Sequence, residues 1–176
     1  MFMRSLAIAG CVLAFAISTG VARAESPHRG KAINQADLSE WDINILPDGT
    51  NLPPGDGTAA DGAKIFAVKC ALCHGENGQG GIAVRLVGGP PKATLNGGKT
   101  IANYWPYATT LFDYIRRAMP FTQPRSLTDH EVYSLVAYLL AENKLISEDD
   151  AINAKTLPQV RMPNRDNFVV QFPDRM

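Results

Sequence analysis

The chain has 176 residues, 17 Lys and Arg against 17 Asp and Glu, and three cysteines. Balanced charge leaves no basic footprint for nucleic acid. So few cysteines exclude a secreted scaffold stapled by several disulfides.

The first 24 residues, "MFMRSLAIAGCVLAFAISTGVARA", place Arg4 before an apolar run from Leu6 to Ile17 and end in the small-x-small Ala22-Arg23-Ala24. This is the pattern of a secretory signal peptide cleaved before Glu25, with export to the periplasm expected. The run is shorter than the roughly 20 residues a spanning helix needs, so no membrane span is expected after cleavage. A lipoprotein reading of "IAGC" would place Cys11 after too little apolar sequence. Cys11 leaves with the peptide, and residues 25 to 176 make one domain's length.

Residues 25 to 55 are proline-rich and without sustained periodicity, which predicts an extended N-terminal flank on a surface. From Thr58 to Cys70, Ala59, Ala63, Phe66, Ala67 and Cys70 fall at helical spacing, so a helix is expected to deliver the cysteines at its C-terminal end. Gly75 breaks it.

"CALCH", residues 70 to 74, admits three chemistries. Zinc needs four ligands, and the other mature histidines, His28 and His130, are isolated. A thioredoxin-like pair belongs at a helix start within a βαβ pattern, whereas this pair closes a helix. Covalent haem fits the recognised C-x-x-C-H signature. Cys70 and Cys73, one turn apart, can each add to a porphyrin vinyl group, and His74 then carries a neutral imidazole to the iron. One haem c is therefore expected.

Residues 75 to 98, with "GENGQGG" and "VGGPPKATLNGG", read as long loops with tight glycine turns, shaped around something. "TTLFDYIRRAM" reads as a short helix capped by Thr110, with Asp113 near the capping-box position, and ended by Pro120. "SLTDHEVYSLVAYLLAEN" is the strongest helix signal: Thr128 and Glu131 form a capping box, and Val132, Leu135, Val136 and Leu139 mark one apolar face. Residues 144 to 176 are expected as an extended C-terminal tail in which only "FVVQF" has strand character. "EDD" at 148 to 150 reads as a solvated turn or helix start.

Met119, Met162, His28, His130 or an open site compete for the sixth iron position. Met119 is favoured, because it follows the "DYIRRA" helix, is fixed by Pro120 and lies 45 residues after His74, enough loop to wrap a macrocycle. Met162, in the irregular tail, ranks second.

The order "GAKIF…CALCHG…PP…AMPF…YSLVAYLL" resembles the class I c-type cytochromes over residues 57 to 143. The resemblance implies an all-α class I cytochrome c fold around one haem, with the haem domain at residues 56 to 143. It also implies Gly62 and Phe66 facing Tyr138, Met119 as distal ligand, and a carbonyl from Pro90 or Pro91 accepting from the His74 imidazole. Arg116 or Arg117 is allowed to approach a haem propionate, although an exposed helix face is the other reading, since adjacent helical residues point about 100° apart. Trp105 has the same two readings, an indole N–H to a propionate or aromatic packing.

"WDINILPDGTNLPPGDGT", "YWPYATTLFDYIRRAMPF" and "MPNRDNF" are further similar to the cytochrome subunits of bacterial sulfite and sulfane dehydrogenases. That similarity implies a molybdenum-containing dehydrogenase subunit as partner and a soluble cytochrome or terminal oxidase downstream. Some of those subunits carry two haem domains, whereas this chain has a single attachment motif. Nothing else resembles a catalytic constellation, so an electron carrier is expected. The alternative is a haem protein that binds or senses a small ligand at an open iron.

Overall fold

In the computed structural model, which describes residues 30–38, 41–88 and 98–169, the chain divides into two units, residues 1–41 and 42–176. The described part of the first unit holds one short helix, α1 (Gln35–Leu38). A reciprocal pair starts it: Asn34 N–H donates to Asp37 Oδ2, and Asp37 N–H to Asn34 Oδ1. The expected signal peptide lies outside the described residues.

In the second unit Thr58 opens α2 (Ala59–Lys69), its hydroxyl accepting from Asp61 N–H at 3.2 Å. This satisfies a first-turn amide that has no partner within the helix. The helix breaks at Cys70 and resumes as the short α3 (Ala71–His74), a step the periodicity does not reveal. After α4 (Ile101–Tyr104), in a stretch for which the sequence predicts no helix, comes α5 (Ala108–Ala118). Its N-cap is Tyr107 instead of the expected Thr110. Asp113 is thereby moved out of the first turn and serves another role described below.

The last long helix, α6 (Asp129–Glu142), carries the expected capping box, Thr128 with Glu131. It is buried without interruption from Val132 to Ala141. The sequence marks one apolar face, but α2, α5, the strands and α4 all lie against this helix, so its whole circumference is covered. Gly62 makes the α2–α6 crossing possible: a Cβ there would stand 1.9 Å from Ser134 O and 2.6 Å from Tyr138 Cβ. One turn on, Phe66 packs against Tyr138 with ring centroids 5.1 Å apart. Phe112 of α5 meets Tyr133 at 4.5 Å on another side.

Two short strands, β1 (Asp56–Thr58) and β2 (Ala151–Asn153), pair antiparallel in the register Asp56 to Asn153, Gly57 to Ile152 and Thr58 to Ala151. The fold is thus mostly helical, with a small sheet that the sequence reading did not include. Strands of three residues are too short to display alternation. Phe168 and Val169 adopt no strand, and the rest of "FVVQF" lies outside the described residues.

Both flanks enter the core. Ile45 is buried, and Tyr133 Oη donates to Pro53 O at 2.8 Å. In the segment expected to lie extended, Ile152, Leu157 and Met162 are buried to 2%, 0% and 1% exposure. The core therefore continues past Asn143. Among the described residues no helix is long and apolar enough to cross a membrane.

Candidate haem site

The turn that carries the cysteines is built on one carbonyl. Cys73 N–H and His74 N–H both turn back on Cys70 O, at 3.1 and 3.0 Å. Both thiols are free, Cys70 half-buried and Cys73 exposed. Burial pushes the Cys70 thiol up to about 11, against the pull of Lys69 and with a further push from Cys73. It stays protonated at neutral pH.

Gly75 follows at φ 82° and ψ 160°, a conformation essentially restricted to glycine. The chain then folds back on the cysteine turn. Gly80 N–H donates to His74 O and Ala83 N–H to Cys73 O, each at 2.8 Å. Gly78 O accepts from both Leu86 and Val87 N–H at 2.8 and 2.9 Å. This zipper brings Val84 O to 2.8 Å from His74 Nδ1. A carbonyl can only accept, so the proton sits on Nδ1 and the lone pair on Nε2, the tautomer a metal-ligating imidazole needs. The acceptor carbonyl was expected from Pro90 or Pro91; both prolines lie outside the described residues. Val84 escapes sequence reading because a backbone carbonyl carries no residue signature. Asn143 was missed as well. Its amide donates to Leu86 O and Leu139 O, at 3.2 and 2.8 Å, while its Oδ1 accepts from Gly88 N–H at 3.0 Å. The end of α6 is thereby tied to the loop that holds His74.

On the other side of the sequence, Met119 caps α5, its N–H donating to Ile115 O at 3.1 Å. Its side chain packs partly buried at the margin of the core, whereas Met162 is a full core member. His130 is engaged by β1, with Nδ1 2.7 Å from Asp56 O. His28 lies outside the described residues.

The two arginines are both occupied by protein partners. Arg116 Nε is 3.3 Å from Asp129 Oδ1. Arg117 grips Asp113 side-on, Nε to Oδ1 at 3.0 Å and Nη2 to Oδ2 at 2.8 Å, and also donates from Nη2 to Asn44 Oδ1 at 2.7 Å. Trp105 packs edge-on against Tyr114, centroids 5.6 Å apart. Each of the three side chains thus has a protein partner in this structure.

The donor set fits a covalently held haem: two free thiols in one turn, an imidazole whose Nε2 is left for a metal, and a thioether at the end of a well-anchored helix. Among the described residues no group of three or more His, Cys, Asp or Glu side chains comes together.

Residues 57–139 match the family model of the cbb3-type cytochrome c oxidase subunit III. The chain is similar to a thiosulfate dehydrogenase of Stutzerimonas stutzeri, 32% identical over 49% of this chain and 28% of that one. A thiosulfate dehydrogenase of Psychrobacter arcticus is 30% identical over 54% and 31%. The cbb3-type oxidase subunit FixP of Azorhizobium caulinodans is 44% identical over 29% and 17%. The chain thus spans less than a third of each of these relatives. A crystal structure of the sulfane dehydrogenase SoxCD from Paracoccus pantotrophus superposes with a TM-score of 0.75 at 36% identity, over 85% of this chain and 75% of that one.

Proposed function

The chain belongs to the class I c-type cytochromes, and from that premise we propose that it is a periplasmic monohaem electron carrier, the electron-accepting subunit of a molybdenum-dependent sulfite or sulfane dehydrogenase. Cys70 and Cys73 would hold the haem through thioethers, and His74 Nε2 and Met119 Sδ would hold its iron. A haem so held supplies a one-electron iron couple whose potential the soft thioether raises. The chain's own residues do the rest. Val84 O fixes the tautomer and plane of His74, and the Gly75–Val87 loop holds that carbonyl in place. With both residues engaging the iron, the haem would pass electrons and exclude small-molecule ligands.

One observation carries the sulfur-oxidation reading furthest. The likeness to the sulfane dehydrogenase covers 85% of the chain, well beyond residues 57–139 that match the general cytochrome model. It therefore includes flank sequence that a minimal carrier does not need. On this reading the outer faces of residues 25 to 55 and 144 to 176 meet the catalytic subunit, and a soluble cytochrome or terminal oxidase takes the electrons onward.

The test uses the full-length haem-loaded protein with a sulfite- or sulfane-oxidising molybdenum subunit from the same source. Stable association, and haem reduction that begins only when sulfite or a sulfane donor is added, is the expected result. Absence of both overturns the dehydrogenase assignment. Rapid carbon monoxide binding by the reduced wild-type protein would instead point to an open iron.

A further inference from the structure

The segment of residues 42 to 52 does more than cover apolar surface. Ile45 N–H donates to Asp113 Oδ1 at 3.2 Å, and Asn44 Oδ1 accepts from Arg117 Nη2 at 2.7 Å. Asp113 and Arg117 lie four residues apart on α5, and Arg117 is two residues before Met119. An Asp–Arg pair at this spacing stabilises a helix only slightly by itself. Here it is extended across 68 and 73 residues of sequence to a second segment.

That second segment is internally fixed. Leu46 N–H donates to Thr50 O at 3.1 Å, and Asn51 Nδ2 to Asn44 O at 3.0 Å. Gly49, at φ 92°, lies so close to Pro158 that a Cβ would come within 2.5 Å of its Cγ. Asn44 therefore presents its oxygen from a braced turn. The last turn of α5 is held in three directions: Ile115 into the core, Arg116 to Asp129 on α6, and Arg117 to Asn44. Met119 leaves the helix straight after that turn, with its N–H still bonded to Ile115 O.

We propose that Asn44, Asp113 and Arg117 are positioning residues that hold Met119 in place as distal ligand, so that the N-terminal flank controls how firmly the sixth position is closed. This rests on Met119 being that ligand. Planar guanidinium recognition suits the task, because side-on pairing fixes direction as well as distance. Loss of partners that orient a ligand typically weakens its bond to a metal 10- to 100-fold.

The experiment takes the full-length haem-loaded protein with Asn44→Ala, Asn44→Asp, Arg117→Lys and Met119→Ala. Two signals are read: the far-red methionine-to-iron absorbance of the ferric protein on warming, and the rate of carbon monoxide binding to the ferrous protein. Asn44 is exposed, so Asn44→Ala is expected to unfold globally as wild type does. It should nevertheless lose the far-red band at lower temperature and bind carbon monoxide about tenfold faster. Asn44→Asp keeps an acceptor for Arg117 and should restore both signals. Arg117→Lys keeps the charge without the fork and should fall between. Wild-type band stability and carbon monoxide rates in both Asn44→Ala and Arg117→Lys overturn the brace. A far-red band that survives Met119→Ala overturns the ligand assignment itself, a separate outcome.

Discussion

His74 Nδ1 lies 2.8 Å from the carbonyl oxygen of Val84, across a loop whose first residue, Gly75, sits at φ 82° and ψ 160°. The two facts depend on each other, because the loop can return to His74 only if the chain reverses at Gly75. An alanine there is strained in its backbone and places its Cβ 2.6 Å from Gly80 O. Gly75→Ala is expected to lower the unfolding free energy by about 1–3 kcal/mol, measured by urea titration of the haem-loaded protein. It should also raise the reduction potential, since an imidazole without its Nδ1 acceptor is a poorer donor to ferric iron.

Met119 and Met162 separate cleanly by burial. Met162, 1% exposed, packs in the core, so Met162→Ala should keep the far-red band and lose about 2–5 kcal/mol of stability through the cavity it leaves. Met119→Ala should do the reverse, keeping most of the stability while the reduced protein gains carbon monoxide binding. The opposite pairing of spectral and stability losses would make Met162 the ligand.

Replacing Cys70 and Cys73 together by alanine should remove haem that survives denaturation. A helical domain this small has little apolar core to spare, so loss of the proposed haem is expected to leave the apoprotein largely unfolded. A haem stain of the denatured band decides the attachment, and far-ultraviolet circular dichroism the folding. Stainable haem in the double variant would exclude thioether attachment.

The parts legible in the sequence are those that chemistry writes into residue type. The cysteine spacing, the adjacent His74 and the Thr128–Glu131 capping box each need particular side chains, while the Gly62 crossing came only from the family resemblance. What stayed hidden is carried by backbone or by distant pairing. Val84 acts through its carbonyl; β1 and β2 are too short to alternate. Asp113 read as a cap because the start of α5 was placed at Thr110, whereas its partners are Arg117 and the Ile45 amide, 68 residues away. Proline content made residues 144 to 169 look like surface coil. Their isolated apolar side chains Ile152, Leu157 and Met162, spaced without a period, nonetheless fill the core.

Glu131 gives a pH test. Its carboxyl is held below its ordinary value of 4.5, first by the hydrogen bond from Lys69 and then by the Thr128 amide. A carboxylate with a lower pKa folded than unfolded stabilises the fold at pH above its unfolded value, and that stabilisation fades as pH falls through the folded value. Glu131→Gln retains the capping acceptor without the charge. Its unfolding free energy should therefore decline less than that of wild type between about pH 5 and 3, while the two differ modestly near neutrality. Parallel acid limbs would show that the Lys69–Glu131 pair contributes nothing to stability.

The role of the flanks in docking cannot be tested by removing the tail. A chain ending at Asn143 loses Ile152, Leu157 and Met162 from the core, each worth about 1.5–3 kcal/mol, along with the strand that pairs with β1. That total is comparable with the whole stability of a typical domain, about 5–15 kcal/mol. The truncated protein should fail to fold, and lost partner binding would then be uninformative. Trp41 offers a cleaner probe, because it is 78% exposed and opens one of the stretches that resemble the dehydrogenase-linked cytochromes. Aromatic anchors at the centre of an interface commonly contribute more than 2 kcal/mol of binding. Trp41→Ala is therefore expected to leave the haem spectrum, potential and unfolding midpoint unchanged while weakening association with the molybdenum subunit by about tenfold or more. Titration calorimetry of the two haem-loaded proteins against that subunit measures it, and equal affinities would remove the N-terminal flank from the interface.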